Sequence, residues 1–293
     1  MKVWVIGASG LIGSRCAAAF AQAGHRVTGT RRQALPGPWR PLDLLDGPVV
    51  REAIRLEQPD LVLLAAALTN VDYAEGHRQE VFDVNVTGTG YVAEACRSVG
   101  ARLVYFSSDY VFNGRGGPYA EDDPPDPINV YGASKLAGEE QIVQLLPDAH
   151  LIVRTTVVYD WHPGGRNFVM QLVEQLRRGQ VMRVPRDQLG SPTWAPDIGR
   201  ALVALCRAHA SGIFHVVGPE RLNRYDFARA VAAGLGLNEE LIDPVATAKL
   251  AQAAARPLSA GMSHSRLNAV LQEPMTPVRD SVAAIRRCME AQA

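Results

Sequence analysis

The chain has 293 residues, is 47% hydrophobic and balances 30 basic against 30 acidic residues. That length holds one large domain or two smaller ones, and the zero formal charge argues against a nucleic-acid or membrane-surface partner, both of which draw on excess Lys and Arg. Cys16, Cys96, Cys206 and Cys288 are widely spaced without a CxxC pair, which favours small buried residues in a reducing compartment over disulfides or a metal site.

The predicted elements alternate along the first half. Strands are expected at residues 2–6, 26–30, near Leu42, 61–65, 103–106 and 151–154. Helices are expected between them at 11–23, 49–57, 81–99 and 130–145. Short apolar strands alternating with amphipathic helices predict an α/β fold, a doubly wound parallel sheet covered on both faces. After Thr155 the rhythm changes. A glycine-rich loop follows Trp161, and helices are expected at 168–178, 197–208 and 278–289, with strands at 181–184 and 213–217. The expected organisation is a dinucleotide-binding domain of residues 1–158 and 181–218, with a smaller, mostly helical substrate lobe of 159–180 and 219–293. Val3-Trp4-Val5-Ile6 is too short for a secretory core and no apolar run reaches bilayer length, so the sequence reads as cytoplasmic with no membrane partner.

Gly7-Ala8-Ser9-Gly10-Leu11-Ile12-Gly13 directly follows the first strand and opens the first helix. The first glycine permits a tight turn, the second lets amides approach a pyrophosphate at a helix N-terminus, and the third lets helix pack on strand. Gly7, Ser9, Gly10, Leu11, Ile12 and Gly13 are therefore cofactor candidates. The second strand ends in Arg31 and Arg32 where an NAD site has an acidic residue, and a guanidinium fork suits a 2′-phosphate, so NADP(H) is expected. Asp43 with Leu44 is placed to meet the adenine, or forms an ordinary turn. Ala65, Ala66 and Ala67 allow close approach of a cofactor to the backbone, or only ease packing.

Tyr131 and Lys135, four apart, lie on one face of a predicted helix, where the ammonium would draw the phenol pKa down from about 10. Ser108 offers a hydroxyl to the same oxygen. Hydroxyl, phenol and ammonium in this order suit carbonyl reduction by a nicotinamide.

These motifs resemble the extended short-chain dehydrogenase/reductase family and, within it, the dTDP-4-dehydrorhamnose reductase subgroup. The resemblance rests on the glycine turn, Ala65 through Glu75, the helix carrying Asn85, Ser107-Ser108-Asp109-Tyr110-Val111-Phe112, and Asn129 through Glu139. Residues 154–159, 166–168, 187–193 and 212–218 and Arg256-Pro257 add to it. It implies a Rossmann domain, a catalytic set of Ser108, Tyr131 and Lys135, cofactor contacts that include Asn85, Tyr131 and Lys135, and a nucleotide-sugar substrate. Thr69, Val71, Ser108, Asp109, Tyr110, Val157, Asn167 and Arg256 would meet that substrate. The implied reaction is NADPH-dependent reduction of a 4-keto-6-deoxy sugar at C4. Val157 stands where the subgroup has a Trp, and the acidic residues of a metal-linked dimer are missing near Arg15 and Pro196, so no metal is expected. A homodimer through exposed main-domain helices remains open.

Two other readings share these motifs. The regulatory β subunit of methionine adenosyltransferase has the same wording and an Arg-Arg after its second strand, which would make this chain an NADP-binding subunit. A sugar-nucleotide epimerase or dehydratase is the other; a dehydratase would want a Glu beside Asp109, and there is none. Arg154, Arg166, Arg186 and Arg256 are the candidates for a substrate diphosphate. Glu121-Asp122-Asp123 reads as a solvated loop and His215 as a satisfied core histidine.

Overall fold

The computed structural model describes residues 1–34 and 36–291. Its main sheet has seven strands: β1 (Lys2–Ile6), β2 (Arg26–Arg31), β3 (Arg40–Pro41), β4 (Leu61–Leu64), β5 (Arg102–Ser108), β6 (His150–Thr155) and β7 (Gly212–His215). Their spatial order is β7-β6-β5-β4-β1-β2-β3, and every neighbouring pair is parallel. Strand order reverses between β1 and β4, and the crevice beyond their C-terminal ends is where ligands bind in such sheets.

Side chains alternate across the sheet. Val3 and Val5 face α1 (Leu11–Gln22) and a later helix, Ala195–Arg207, whereas Trp4 and Ile6 face the opposite layer. That opposite layer contains α2 (Gly47–Glu57), α3 (Gly88–Val99) and α4 (Val130–Leu145). The side chains of both layers are buried, and each fully buried aliphatic or Phe side chain contributes about 1.5–3 kcal/mol. The expected doubly wound α/β domain is present.

The lobe is built on α5 (Phe168–Arg177), α7 (Arg224–Leu235) and α8 (Val278–Glu290), where α6 denotes Ala195–Arg207 of the main domain. Leu172, Phe227, Val231, Val282 and Ile285 form its core. Tyr159, in a short strand paired with Thr193–Trp194, reaches in with its ring 4.9 Å from that of Phe227 and its hydroxyl 2.6 Å from Ser281 Oγ.

Two contacts bear on the expected split of the chain. Met182–Pro185 pairs in parallel with Ile242–Val245 in the lobe, so the main sheet is rejoined only at β7. Leu267 and Met275, in the segment assigned to the lobe, pack instead into the main core. Both are contacts between distant segments, which local hydrophobic pattern does not encode. The expected helix over 81–99 is continuous from Arg78 to Val99, with a π-helical turn, Asp83–Thr87, between Arg78–Phe82 and α3. The third strand is only Arg40–Pro41, although Leu42 N still donates to Arg31 O at 2.8 Å.

Cys16, Cys96 and Cys206 are buried free thiols, whereas Cys288 is exposed. Among the described residues, no helix is long and apolar enough to cross a membrane.

Candidate active site

The turn from β1 to α1 is dictated by close approaches. Gly7 has φ +88°, and a Cβ there would stand 2.7 Å from Ala66 N. A Cβ on Gly13 would stand 2.2 Å from Gly7 O. Thr30 O accepts from the amides of Gly7 at 3.1 Å and Ala8 at 2.8 Å, which anchors the turn to β2. Gly10 differs: it is exposed, and its Cβ position touches only Gly7 O at 3.4 Å. No side chain caps α1, so its first amides point outward from an open glycine face. An uncapped helix start of this kind offers backbone amides that could meet an anion. Ser9 is exposed on the turn, Leu11 is half-buried, and Ile12 lines the cleft described below.

At the end of β2, Arg31 donates from one terminal nitrogen to Pro36 O at 3.2 Å. Its Nε and other terminal nitrogen are buried without a hydrogen-bond partner, and a phosphate would satisfy both. These orphaned donors and the open Gly10 face fit a phosphorylated dinucleotide. Arg32 beside it is exposed. Asp43 takes the turn role, its Oδ1 accepting from Leu45 N at 3.0 Å. Leu44 is buried against Gly88 and serves the core. Ala65 and Ala67 line the cleft, while Ala66 crowds Gly7.

A cleft of about 640 Å³ opens between the main domain and the lobe. Ser108, the last residue of β5, Tyr131 and Lys135 all line it. Asn129 caps α4, its Oδ1 accepting from Gly132 N at 2.7 Å, which starts the helix where Tyr131 meets the cleft. A Cβ on Gly132 would stand 2.0 Å from Tyr110 O, so the turn after β5 and the start of α4 touch.

The electrostatics depart from the expected pattern in one respect. Burial raises the Tyr131 pKa above that of a free phenol; the Ser108 hydroxyl opposes this, and Asp109 and Tyr110 add to it. That direction favours the protonated phenol. Burial pulls the Lys135 ammonium down to about 7, with the Glu139 carboxylate opposing. Burial, not the neighbouring lysine, therefore sets the direction of the Tyr131 shift.

The cleft is also lined by polar groups. Asp109 is buried, accepting from Ser108 Oγ at 3.1 Å and Thr156 Oγ1 at 2.7 Å, and burial raises its pKa. The Tyr110 ring meets that of Tyr131 edge-on at 5.7 Å. Thr69 and Val71 line the wall below them. Val157 also lines the cleft and has φ +47°, a backbone state that costs a β-branched residue and that clusters at functional sites. Arg256 lines the cleft and pairs with Asp72 Oδ2 at 2.7 Å.

Several candidates lie elsewhere. Asn167 caps α5, accepting from Met170 N at 3.2 Å and donating to Asp160 O at 3.0 Å, so its amide is spent on structure. Asn85 lines no part of the cleft; its amide holds Leu68 and Ser134. Arg154, on β6, is buried in a two-pronged pair with Glu139 of α4 at 3.0 and 2.6 Å. Of the other diphosphate candidates, Arg166 lines the cleft and Arg186 does not. Glu121, expected in a solvated loop, is buried and accepts from His215 N at 3.1 Å.

Arg224 is the functional candidate that sequence reading passed over. It opens α7 just after the capping Asn223 and lines the cleft beside Arg256. Its charge is felt by both Asp109 and Tyr110. The only signal was an arginine at a helix start, which is indistinguishable in sequence from a surface residue. Among the described residues, no cluster of three or more His, Cys, Asp or Glu could hold a metal ion.

Fold and site together define an extended short-chain dehydrogenase/reductase. Residues 1–290 match the family model described as RmlD substrate binding domain, and the chain belongs to that family. It is 36% identical over 279 residues to a dTDP-4-dehydrorhamnose reductase of Streptomyces griseus, covering 93% of this chain and 89% of the relative. It is also 36% identical over 264 residues to the spore coat polysaccharide biosynthesis protein SpsK of Bacillus subtilis, covering 90% and 89%. The crystal structure of dTDP-4-dehydrorhamnose reductase from Bacillus anthracis in complex with NADP superposes with a TM-score of 0.87 at 30% identity, covering 97% of this chain and 98% of that one.

Proposed function

We propose that this protein is an NADP(H)-dependent oxidoreductase that reduces the C4 ketone of a 4-keto-6-deoxy sugar nucleotide to an alcohol. The observation that carries the reading is that one cleft brings Ser108, Tyr131 and Lys135 together with the cofactor-side Ile12 and Ala65 and with Arg166, Arg224 and Arg256. A ketone-reducing set and a cationic wall suited to a diphosphate thus share one space.

Bound NADPH would supply the hydride. Tyr131 gives its phenolic proton to the carbonyl oxygen as that oxygen gains charge, so ketone, hydride and proton become the alcohol. Ser108 donates to the same oxygen and polarises the carbonyl. Lys135 holds the nicotinamide ribose. Arg31 takes the 2′-phosphate, with Gly10 and the first amides of α1 on the pyrophosphate. Thr69, Val71, Asp109 and Tyr110 frame the sugar. Arg224 and Arg256 reach its diphosphate.

The test is NADPH oxidation with dTDP-4-keto-6-deoxy sugars, with the product identified by NMR. One NADPH consumed for each new C4 alcohol supports the reading. Conversion without net NADPH consumption would instead identify an epimerase or dehydratase, and tight NADPH binding without turnover would point to a regulatory subunit.

A further inference from the structure

Lys135 is in an unusual place for an ammonium. It is 2% exposed, and among the described residues no carboxylate lies within ion-pair distance of its Nζ. The nearest acidic residue on its own helix, Glu139, one turn on, has both oxygens engaged by Arg154 from β6, at 3.0 and 2.6 Å. What does face the ammonium is an aromatic ring: Lys135 Nζ sits 4.0 Å from the centroid of Tyr105.

Tyr105 is a fixed platform. It comes from the middle of β5, 1% exposed, on the face that carries α3 and α4. Its hydroxyl lies 3.5 Å from Lys135 O and beside Thr89, and Thr89 Oγ1 is itself fixed by donating to Asn85 O at 2.8 Å. A Cβ at Gly138 would stand 2.3 Å from the Tyr105 hydroxyl, so α4 carries a glycine at the point where the phenol passes under it. The ring is therefore held at its rim while its face is turned to the ammonium. A desolvated cation over an aromatic face gains more than an exposed one, because water no longer competes for it.

We propose that Tyr105 is a positioning residue whose ring face holds the Lys135 ammonium charged and aimed into the cleft, in place of a carboxylate counter-ion. A carboxylate at ion-pair distance would fix the lysine more strongly but would add a negative charge beside a cofactor that is already anionic. An aromatic face supplies attraction without net charge. The groups facing Lys135 are then Tyr131 and Glu139 on its own helix, Ser108 and Tyr105 on β5, Asp109 beyond β5, and Arg154 on β6 behind Glu139.

This inference rests on the reading that Lys135 engages NADPH, and its test is cofactor binding as a function of pH, which needs no substrate. NADPH affinity is measured by fluorescence from mildly acidic to alkaline pH for the wild type, Tyr105→Phe, Tyr105→Leu, and a protein carrying pentafluorophenylalanine at position 105. The fluorinated ring keeps the shape of Phe but loses the negative face, so it reports on charge even if Tyr105→Leu fails to fold. Binding should weaken as pH rises through the Lys135 pKa. Tyr105→Phe should keep the wild-type midpoint, and the leucine and fluorinated variants should move it toward acid by about one pH unit, a loss of affinity that approaches tenfold about one unit above the wild-type midpoint. A midpoint equal in Tyr105→Phe and the fluorinated protein would overturn the platform while leaving the reductase reading intact. Absence of NADPH binding to the wild type at every pH would overturn both.

Discussion

Asn85 Nδ2 donates to Ser134 Oγ at 3.0 Å, tying the segment that follows β4 to the helix that carries Tyr131 and Lys135. The same amide closes a two-way clamp on Leu68, donating to its carbonyl at 3.0 Å and accepting from its N–H at 2.8 Å. Ser134 Oγ passes the connection on to Tyr131 O at 2.7 Å. The π-helical turn of residues 83–87 presents Asn85 to both neighbours, consistent with the frequent placement of such turns at functional sites.

Replacing Asn85 should therefore act through geometry. Asn85→Ala leaves the part-buried Leu68 N–H and C=O without their side-chain partner and strips the buried Ser134 hydroxyl of a donor, at a cost of about 1–3 kcal/mol, the range for an unsatisfied buried group. A lowered urea midpoint with unchanged slope would register it. Turnover should fall more than NADPH affinity, because the clamp aligns α4 rather than touching the cofactor.

Arg31 should decide between the two nicotinamide cofactors. Its orphaned donors match a 2′-phosphate, and hydrogen bonds to charged groups contribute about 1.5–3 kcal/mol. Arg31→Ala should weaken NADPH binding by about 10–100-fold and leave NADH binding nearly unchanged. Titrating both cofactors against both proteins by fluorescence measures this directly. An equal loss for both would place the 2′-phosphate elsewhere.

His215 should give the fold an acid limit. Burial pulls its pKa down to about 4, Arg154 adds to the effect, and its Nδ1 meets Ser263 O at 3.1 Å while Nε2 has no partner. Its unfolded pKa is about 6.5, so between those values the unfolded chain binds the extra proton. The stability this neutral histidine contributes is complete above about pH 6.5 and is lost as pH falls toward 4, by up to about 1.4 kcal/mol per unit. His215→Phe should flatten that slope. Denaturant midpoints at about pH 7 and about pH 5, compared for wild type and variant, check the sign and size.

The parts legible in sequence were those encoded by neighbours in the chain. Gly7 and Gly13 announce the turn because each forbids a Cβ against atoms a few residues away or on the adjoining strand. Tyr131 and Lys135 announce a shared helix face by spacing alone. What stayed hidden depends on distant partners. Met182–Pro185 has a strand's pattern but takes its partner from Ile242–Val245, and Glu121 is buried where it accepts from the backbone of β7. Arg224 reaches the cleft because Asn223 caps α7 at the lobe's inner edge. The direction of the Tyr131 shift was hidden for the same reason: burial is set by the assembled cleft, not by the lysine four residues on.

The most direct measurement is a single-turnover assay of Tyr131→Phe beside the wild type, following NADPH oxidation with a dTDP-4-keto-6-deoxy sugar and measuring NADPH affinity in parallel. Loss of the proton donor should slow hydride consumption by about 10²–10⁴-fold while NADPH affinity stays near that of the wild type. A variant that oxidises NADPH at the wild-type rate would contradict the assignment of Tyr131 as proton donor and, with it, the reductase chemistry derived from this cleft.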